Sequence, residues 1–203
     1  VTSDAAEPPS TSGSSSEEPE PSTGPDSLSA PHLPADADLG LQVTYTLDTS
    51  DTEPPSAGWL DEQLAQAVRL AGVTSGNLAV TLIDDPTMIQ LHADHCDDPT
   101  PTDVLTFDLA DREPPRPGDV VTHIDGDLVI CREEAERQSS TRGHDARTEL
   151  LLYAVHGLMH LLGEDDHDEH DYQRMHQRED QLLTDMGFGP VFHGQTETPG
   201  DHT

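Results

Sequence analysis

The residues that could do chemistry are concentrated in one stretch, His156-Gly157-Leu158-Met159-His160-Leu161-Leu162-Gly163-Glu164-Asp165-Asp166-His167. His156 and His160 are four apart. On a helix that spacing places both imidazoles on one face, about 5–6 Å apart at Cβ. Two imidazoles so placed can share one metal ion. Gly163 lets the backbone leave the helix in a left-handed turn, and the chain that folds back carries a third donor. His167 is favoured there, because three His on Zn²⁺ form a common catalytic set. Asp166 is the alternative, since a carboxylate also binds Zn²⁺. Either set leaves a coordination position open for water, which zinc acidifies to a pKa of about 7. Two incidental histidines are the bland reading. It is disfavoured because a bare polar ring in an otherwise apolar helix is costly.

The acids of the turn, Glu164, Asp165 and Asp166, are the candidate catalytic groups, as proton relays or as supports for the metal ligands. A solvated acidic turn is the competing reading. The metalloprotease pattern H-E-x-x-H is absent, because Gly157 stands where the general base would be. His170 is read as a solvated helix residue, and His144 and His176 as surface residues. Arg132 and Arg137 are expected to pair with Glu133, Glu134 or Glu136.

The elements around this stretch follow from periodicity. Leu150 to Leu162 is apolar almost all round, so a helix from about Asp145 to Leu162 is expected to be buried and central. A second helix, from about Glu169 to Met186, carries Tyr172, Met175, Leu182, Leu183 and Met186 at helical spacing. An earlier helix starts near Ala57 and stops at Gly72. Strands are expected over Leu39–Leu47, Asn77–Ile83, Asp103–Leu109 and Asp127–Cys131, with a Pro-rich loop over Arg112–Gly118. Helices and strands alternate. The expected class is α+β: a single mixed β-sheet with surrounding helices and a buried central helix carrying the metal ligands.

Three segments in order resemble the YbeY family of bacterial endoribonucleases. The first is the H-G-x-x-H-L-L-G run from His156, followed by acidic residues and His167. The second, Pro101-Thr102-Asp103-Val104-Leu105-Thr106-Phe107, is similar to the family's P-T-D-V-L-S-F strand entry. The third, Gly126-Asp127-Leu128-Val129-Ile130-Cys131, is similar to its G-D-I-x-I strand, which leads into a helix. The resemblance covers about residues 39–190. It implies a zinc-dependent endoribonuclease specific for single-stranded RNA, acting in small-subunit rRNA maturation and ribosome quality control. Implied with that are Zn²⁺ as cofactor, rRNA presented by the ribosome, contact with small ribosomal subunit proteins, and a cytoplasmic location. Three departures stand out. The family has one residue fewer between its second and third His, and an aromatic where Glu164 stands. Its Arg five residues before the P-T-D proline falls on Cys96. Two other readings compete: a metal-dependent hydrolase of a peptide or small molecule, and a non-catalytic ribosome-associated metal-binding protein.

Composition sets the remaining limits. The 203 residues carry 41 Asp and Glu against 9 Lys and Arg, all of them Arg, for a formal charge of −32. The cationic surface that grips a duplex is therefore missing, and high acidity without Lys reads as adaptation to solubility or salt. No apolar run reaches the roughly 18–20 residues of a membrane span. Two Cys, Cys96 and Cys131, make no disulfide framework. Residues 1–38 hold seven Pro, nine Ser and eight acids with no Arg or aromatic, so a disordered acidic tail is expected there. The hydrolase domain then spans 39–193, with a loose end at 194–203.

Overall fold

A computed structural model describes residues 42–45 and 57–192. The expected tail, 1–38, and the expected loose end, 194–203, lie outside the described residues. Nine elements follow in order: β1 (Gln42–Tyr45), α1 (Ala57–Leu70), β2 (Ser75–Ile83), α2 (Asp85–Cys96), β3 (Val104–Asp108), β4 (His123–Cys131), α3 (Arg132–Arg142), α4 (Ala146–Leu161) and α5 (Glu169–Asp185). The four strands form one sheet in the order β1-β2-β4-β3. β1 and β4 run parallel to β2, and β3 runs antiparallel to β4. The fold is α+β with a mixed sheet, as the alternation of elements predicts.

β4 begins four residues earlier than the sequence suggests. Asp125-Gly126-Asp127 has the composition of a turn, yet it continues the strand, with Asn77 opposite Asp125 and Ala79 opposite Asp127 on β2. Gly126 is there for proximity. A Cβ at that position would sit 2.8 Å from both δ-methyl carbons of Leu161, so the missing side chain is what lets α4 lie on the strand.

Each face of the sheet has its own apolar cluster. Leu78, Val80, Leu82, Ile124, Leu128 and Ile130 belong to the main core, together with Leu60, Leu64 and Val68 of α1 and Leu151, Val155 and Leu158 of α4. Ile83, Met88, Leu105 and Cys131 form a second, smaller cluster that includes α2. Alternating burial along β2 and β4 assigns successive side chains to opposite faces. α4 contacts α1, α3, α5, β3 and β4, and eleven of its residues are buried. It is the central buried helix that its all-round apolarity predicts. Asp84, Asp145 and Asp168 each accept a backbone N–H three residues on, which caps α2, α4 and α5. No described helix is long and apolar enough to cross a membrane.

The two cysteines are chemically unequal. Cys96 is exposed at the end of α2, whereas Cys131 is fully buried. Burial pushes the Cys131 thiol up to about 12, helped by its donation to Asp85 Oδ1 at 3.0 Å. At pH 8 the folded protein is expected to consume one equivalent of iodoacetamide, at Cys96, and two in denaturant. Peptide mass mapping reads the outcome.

Candidate metal centre

His156 and His160 lie one turn apart near the C-terminal end of α4. Their rings meet edge to face, with centroids 4.7 Å apart and Nε2 atoms 3.2 Å apart. The other nitrogen of each ring is committed. His156 Nδ1 lies 2.7 Å from Glu179 Oε1 on α5, and His160 Nδ1 lies 3.2 Å from the backbone carbonyl of Glu164. Both partners accept only, so each Nδ1 carries a hydrogen, and a ring without a second proton directs a lone pair from Nε2. With both rings neutral, two lone pairs face each other across 3.2 Å.

Such a contact is repulsive unless a cation lies between, or one ring takes a second proton. Burial is the largest single influence on His156 and disfavours its charge, but the hydrogen bond to Glu179 and the negative charges of Glu179, Asp103 and Asp166 together outweigh it and raise its pKa above the ordinary imidazole value. His160 is shifted down, by burial and then by its neighbour His156. A tetrahedral ion bound at about 2.0–2.1 Å holds two nitrogens about 3.3 Å apart. The observed spacing and the inward lone pairs therefore fit a zinc-like ion.

Glycine makes the turn that completes the group. Gly163 adopts φ +86°, the left-handed region. Its N–H donates to the His160 carbonyl at 2.9 Å, and the Glu164 N–H donates to the Met159 carbonyl at 3.0 Å. This is a Schellman closure, and it delivers the Glu164 carbonyl to His160. A Cβ on Gly163 would lie 2.7 Å from the carbonyl carbon and oxygen of Pro115. Gly163→Ala therefore combines left-handed strain with a backbone collision. It is expected to cost about 2–4 kcal/mol, or roughly 5–15 °C in Tm, and to weaken metal binding. Calorimetry with and without zinc checks both effects.

After the turn, the three acids have different surroundings. Asp165 Oδ1 accepts the N–H groups of Asp166 and His167, at 2.8 and 3.2 Å. Asp166 Oδ2 comes within 3.8 Å of His156 Nε2. His156, His160 and Asp166 can offer donor atoms that all lie within 4.8 Å of one another. The His167 imidazole is 86% exposed and binds Asp165 instead. As placed, the third donor beside the two imidazoles is thus Asp166, with His167 one residue beyond. The Glu164 carboxylate is only 1% exposed and is not brought to the imidazoles. It pairs with Arg174 at 2.9 Å and with Arg178.

His176 and His144 depart from the surface placement expected of them. His176 is buried, with Nδ1 2.5 Å from Glu179 Oε2. His144 is half-buried and binds the fully buried Glu149. Glu179 itself was not singled out from the sequence. The available signal was its register: it falls between Met175 and Leu182–Leu183, on the buried face of α5. On the β3 side, Asp103 holds the strand entry, accepting from the Thr102 hydroxyl at 3.2 Å and the Val104 N–H at 2.9 Å. Asp103 also lines a small cavity of about 40 Å³ with His156, Glu179 and His176.

The family model described as Endoribonuclease YbeY matches residues 46–187. The chain belongs to the YbeY endoribonuclease family. Its members are named endoribonucleases, a class of hydrolase that acts on RNA phosphodiester bonds. An Endoribonuclease YbeY from Desulfitobacterium hafniense is 35% identical over 134 residues, spanning 64% of this chain and 85% of that protein. One from Staphylococcus saprophyticus is 32% identical over 149 residues, spanning 71% and 97%. One from Mycolicibacterium smegmatis is 37% identical over 135 residues, spanning 63% and 74%. A solution structure from Thermotoga maritima overlaps 79% of this chain and 98% of its own, with a TM-score of 0.46 and 19% identity. Against the YbeY pattern, Cys96 is exposed and next to Asp97, which takes the left-handed position that ends α2.

Proposed function

We propose that this chain is a zinc-dependent endoribonuclease that cuts single-stranded RNA. Its place would be the cytoplasm, maturing small-subunit rRNA presented by the ribosome and its small-subunit proteins. The observation that carries the reading is the pair of facing Nε2 atoms, 3.2 Å apart beside Asp166, in a YbeY family member.

The residues take the following roles. His156, His160 and Asp166 hold the ion, a His₂–carboxylate set of the kind used in catalytic zinc sites. His167 enters that set only if the turn shifts by one residue. A zinc ion bound there supplies a Lewis acid and an acidified water. Glu164 braces the turn against α5 through Arg174 and Arg178. Asp165 shapes the turn and, hydrogen-bonded to the exposed His167, offers a proton acceptor open to solvent.

The test compares chelator-stripped and zinc-restored protein on an end-labelled single-stranded RNA and on its duplex. Cleavage of the single strand that requires zinc supports the reading. Hydrolysis of peptides or small esters without RNA cleavage would transfer the site to another substrate class. A second reading, a metal-binding protein without catalysis, is favoured by one observation. Arg112, Arg132, Arg137, Arg142, Arg174 and Arg178 all pair with carboxylates, which leaves them poorly placed to meet phosphate. Stoichiometric zinc with intact RNA would establish it.

A further inference from the structure

Beyond the donors themselves, the side of His156 that faces away from the cation site is unusually well built. Glu179 is fully buried, and both its oxygens are taken by imidazoles: His156 Nδ1 at 2.7 Å and His176 Nδ1 at 2.5 Å. A buried carboxylate with two ring N–H donors is satisfied and has little freedom to rotate. The His176 ring is in turn clamped. It stacks on Phe192, with centroids 3.5 Å apart and planes 5° from parallel. The Phe192 backbone N–H donates to Asp180 Oδ1 at 2.8 Å, and the Arg142 guanidinium carbon lies 5.5 Å from the Phe192 ring centroid.

His156, His176 and Glu179 could also be read as donors to a second cation. The distances decide against it. Ligand atoms around one zinc ion are spaced by about 3.3 Å, whereas 2.5–2.7 Å between nitrogen and oxygen is the length of a charge-assisted hydrogen bond. Hydrogens, not a metal, occupy these gaps.

We propose that Glu179 is a positioning residue for the metal centre: it fixes the His156 ring with Nε2 toward the ion, and His176, held by Phe192, fixes Glu179. The inference rests on the reading of His156 and His160 as metal ligands. It adds that α5 and the segment after it, and not only α4, set how tightly the ion is held. Without the buried carboxylate, His156 can rotate or exchange its N–H to the wrong nitrogen, and the lone pair no longer waits at the site. Partners of this kind behind a ligating His typically carry a 10–100-fold effect on metal affinity.

The experiment measures zinc affinity by chelator competition in the full chain, for the wild type, His160→Ala, Glu179→Gln and His176→Phe. Glu179→Gln keeps the shape of the side chain, and His176→Phe keeps the stack on Phe192 while removing the donor to Glu179. Expected is a 10–100-fold weakening in Glu179→Gln and a smaller one in His176→Phe. His176→Phe leaves the buried Glu179 short of one donor, so the Tm of its zinc-free form should fall, and zinc affinity is read on the folded protein. A second readout is the visible spectrum of the cobalt-loaded protein, which should shift in Glu179→Gln because the His156 ring is no longer held; a purely structural role would leave it unchanged. If both variants bind zinc as the wild type does, the positioning role is overturned. If Glu179→Gln does not fold, wild-type affinity in His176→Phe overturns it alone. Failure of the wild type itself to bind zinc, with His160→Ala no different, overturns the metal site and this inference together.

Discussion

His160→Ala is expected to abolish stoichiometric zinc binding and to lower RNA cleavage by about a thousandfold or more, while leaving the zinc-free protein as stable as before. About 4 kcal/mol of lost transition-state stabilisation corresponds to that factor, and a bound metal supplies several kcal/mol. The stability half of the prediction is the more diagnostic. Ala is the best helix former, and His160 gives up only a 3.2 Å hydrogen bond to a backbone carbonyl. Its removal also ends the 3.2 Å contact between the two Nε2 atoms, which is repulsive when both rings are neutral. In the zinc-free protein that contact is at best one hydrogen bond, made when His156 takes a second proton, so shortening one partner costs little. His156→Ala differs. It removes one of two donors to the fully buried Glu179, and an unmatched buried carboxylate costs about 1–3 kcal/mol or more. Elemental analysis and calorimetry on the two variants therefore separate ligand loss from structural loss. A zinc-free His160→Ala protein much less stable than wild type would make that ring a core histidine and remove the basis for the metal reading.

What the chain reveals before folding, and what it conceals, divides along physical lines. α4 was legible because its all-round apolarity is a property of the helix alone. So was the shared face of His156 and His160, since a spacing of four fixes it. The third donor was not legible. Asp166 and His167 are adjacent, and only the path of the turn after Gly163 decides which one comes back to the imidazoles. That path depends on Asp165 accepting the N–H groups of both residues. The early half of β4 was hidden because Asp125-Gly126-Asp127 has turn composition, and the reason for Gly126 is a contact with Leu161, far along the chain. Glu179 and His176 were hidden for the same reason. A charged residue on a helix reads as solvated until a partner from another element is seen to bury it.

Raising ionic strength is expected to speed RNA cleavage by this chain, the reverse of the usual response of nucleic-acid-binding proteins. Ordinarily Lys and Arg neutralise phosphates and release counterions, so added salt weakens binding steeply. Here the formal charge is −32, there is no Lys, and Arg is confined to nine residues. Most of these form ion pairs with carboxylates within the described domain, as with Arg137 on Asp85 and Glu134, and Arg142 on Glu149. Few cations remain to release counterions, so the counterion term is small. What remains is repulsion between an acidic protein and a polyanion, acting on encounter. The Debye length falls from about 10 Å at 0.1 M to about 3 Å at 1 M, which confines that repulsion to near contact. Steering fields change association rates by roughly 10–1,000-fold, and here the sign is unfavourable at low salt. With zinc saturating, kcat/KM on a short single-stranded RNA is expected to rise about tenfold between 0.05 and 0.5 M KCl, with kcat nearly unchanged because the charge acts before binding. A fall with salt, at the slope of several phosphate contacts, would mean that a cationic path to His156 and His160 exists in spite of the paired arginines. The repulsion account would then be wrong.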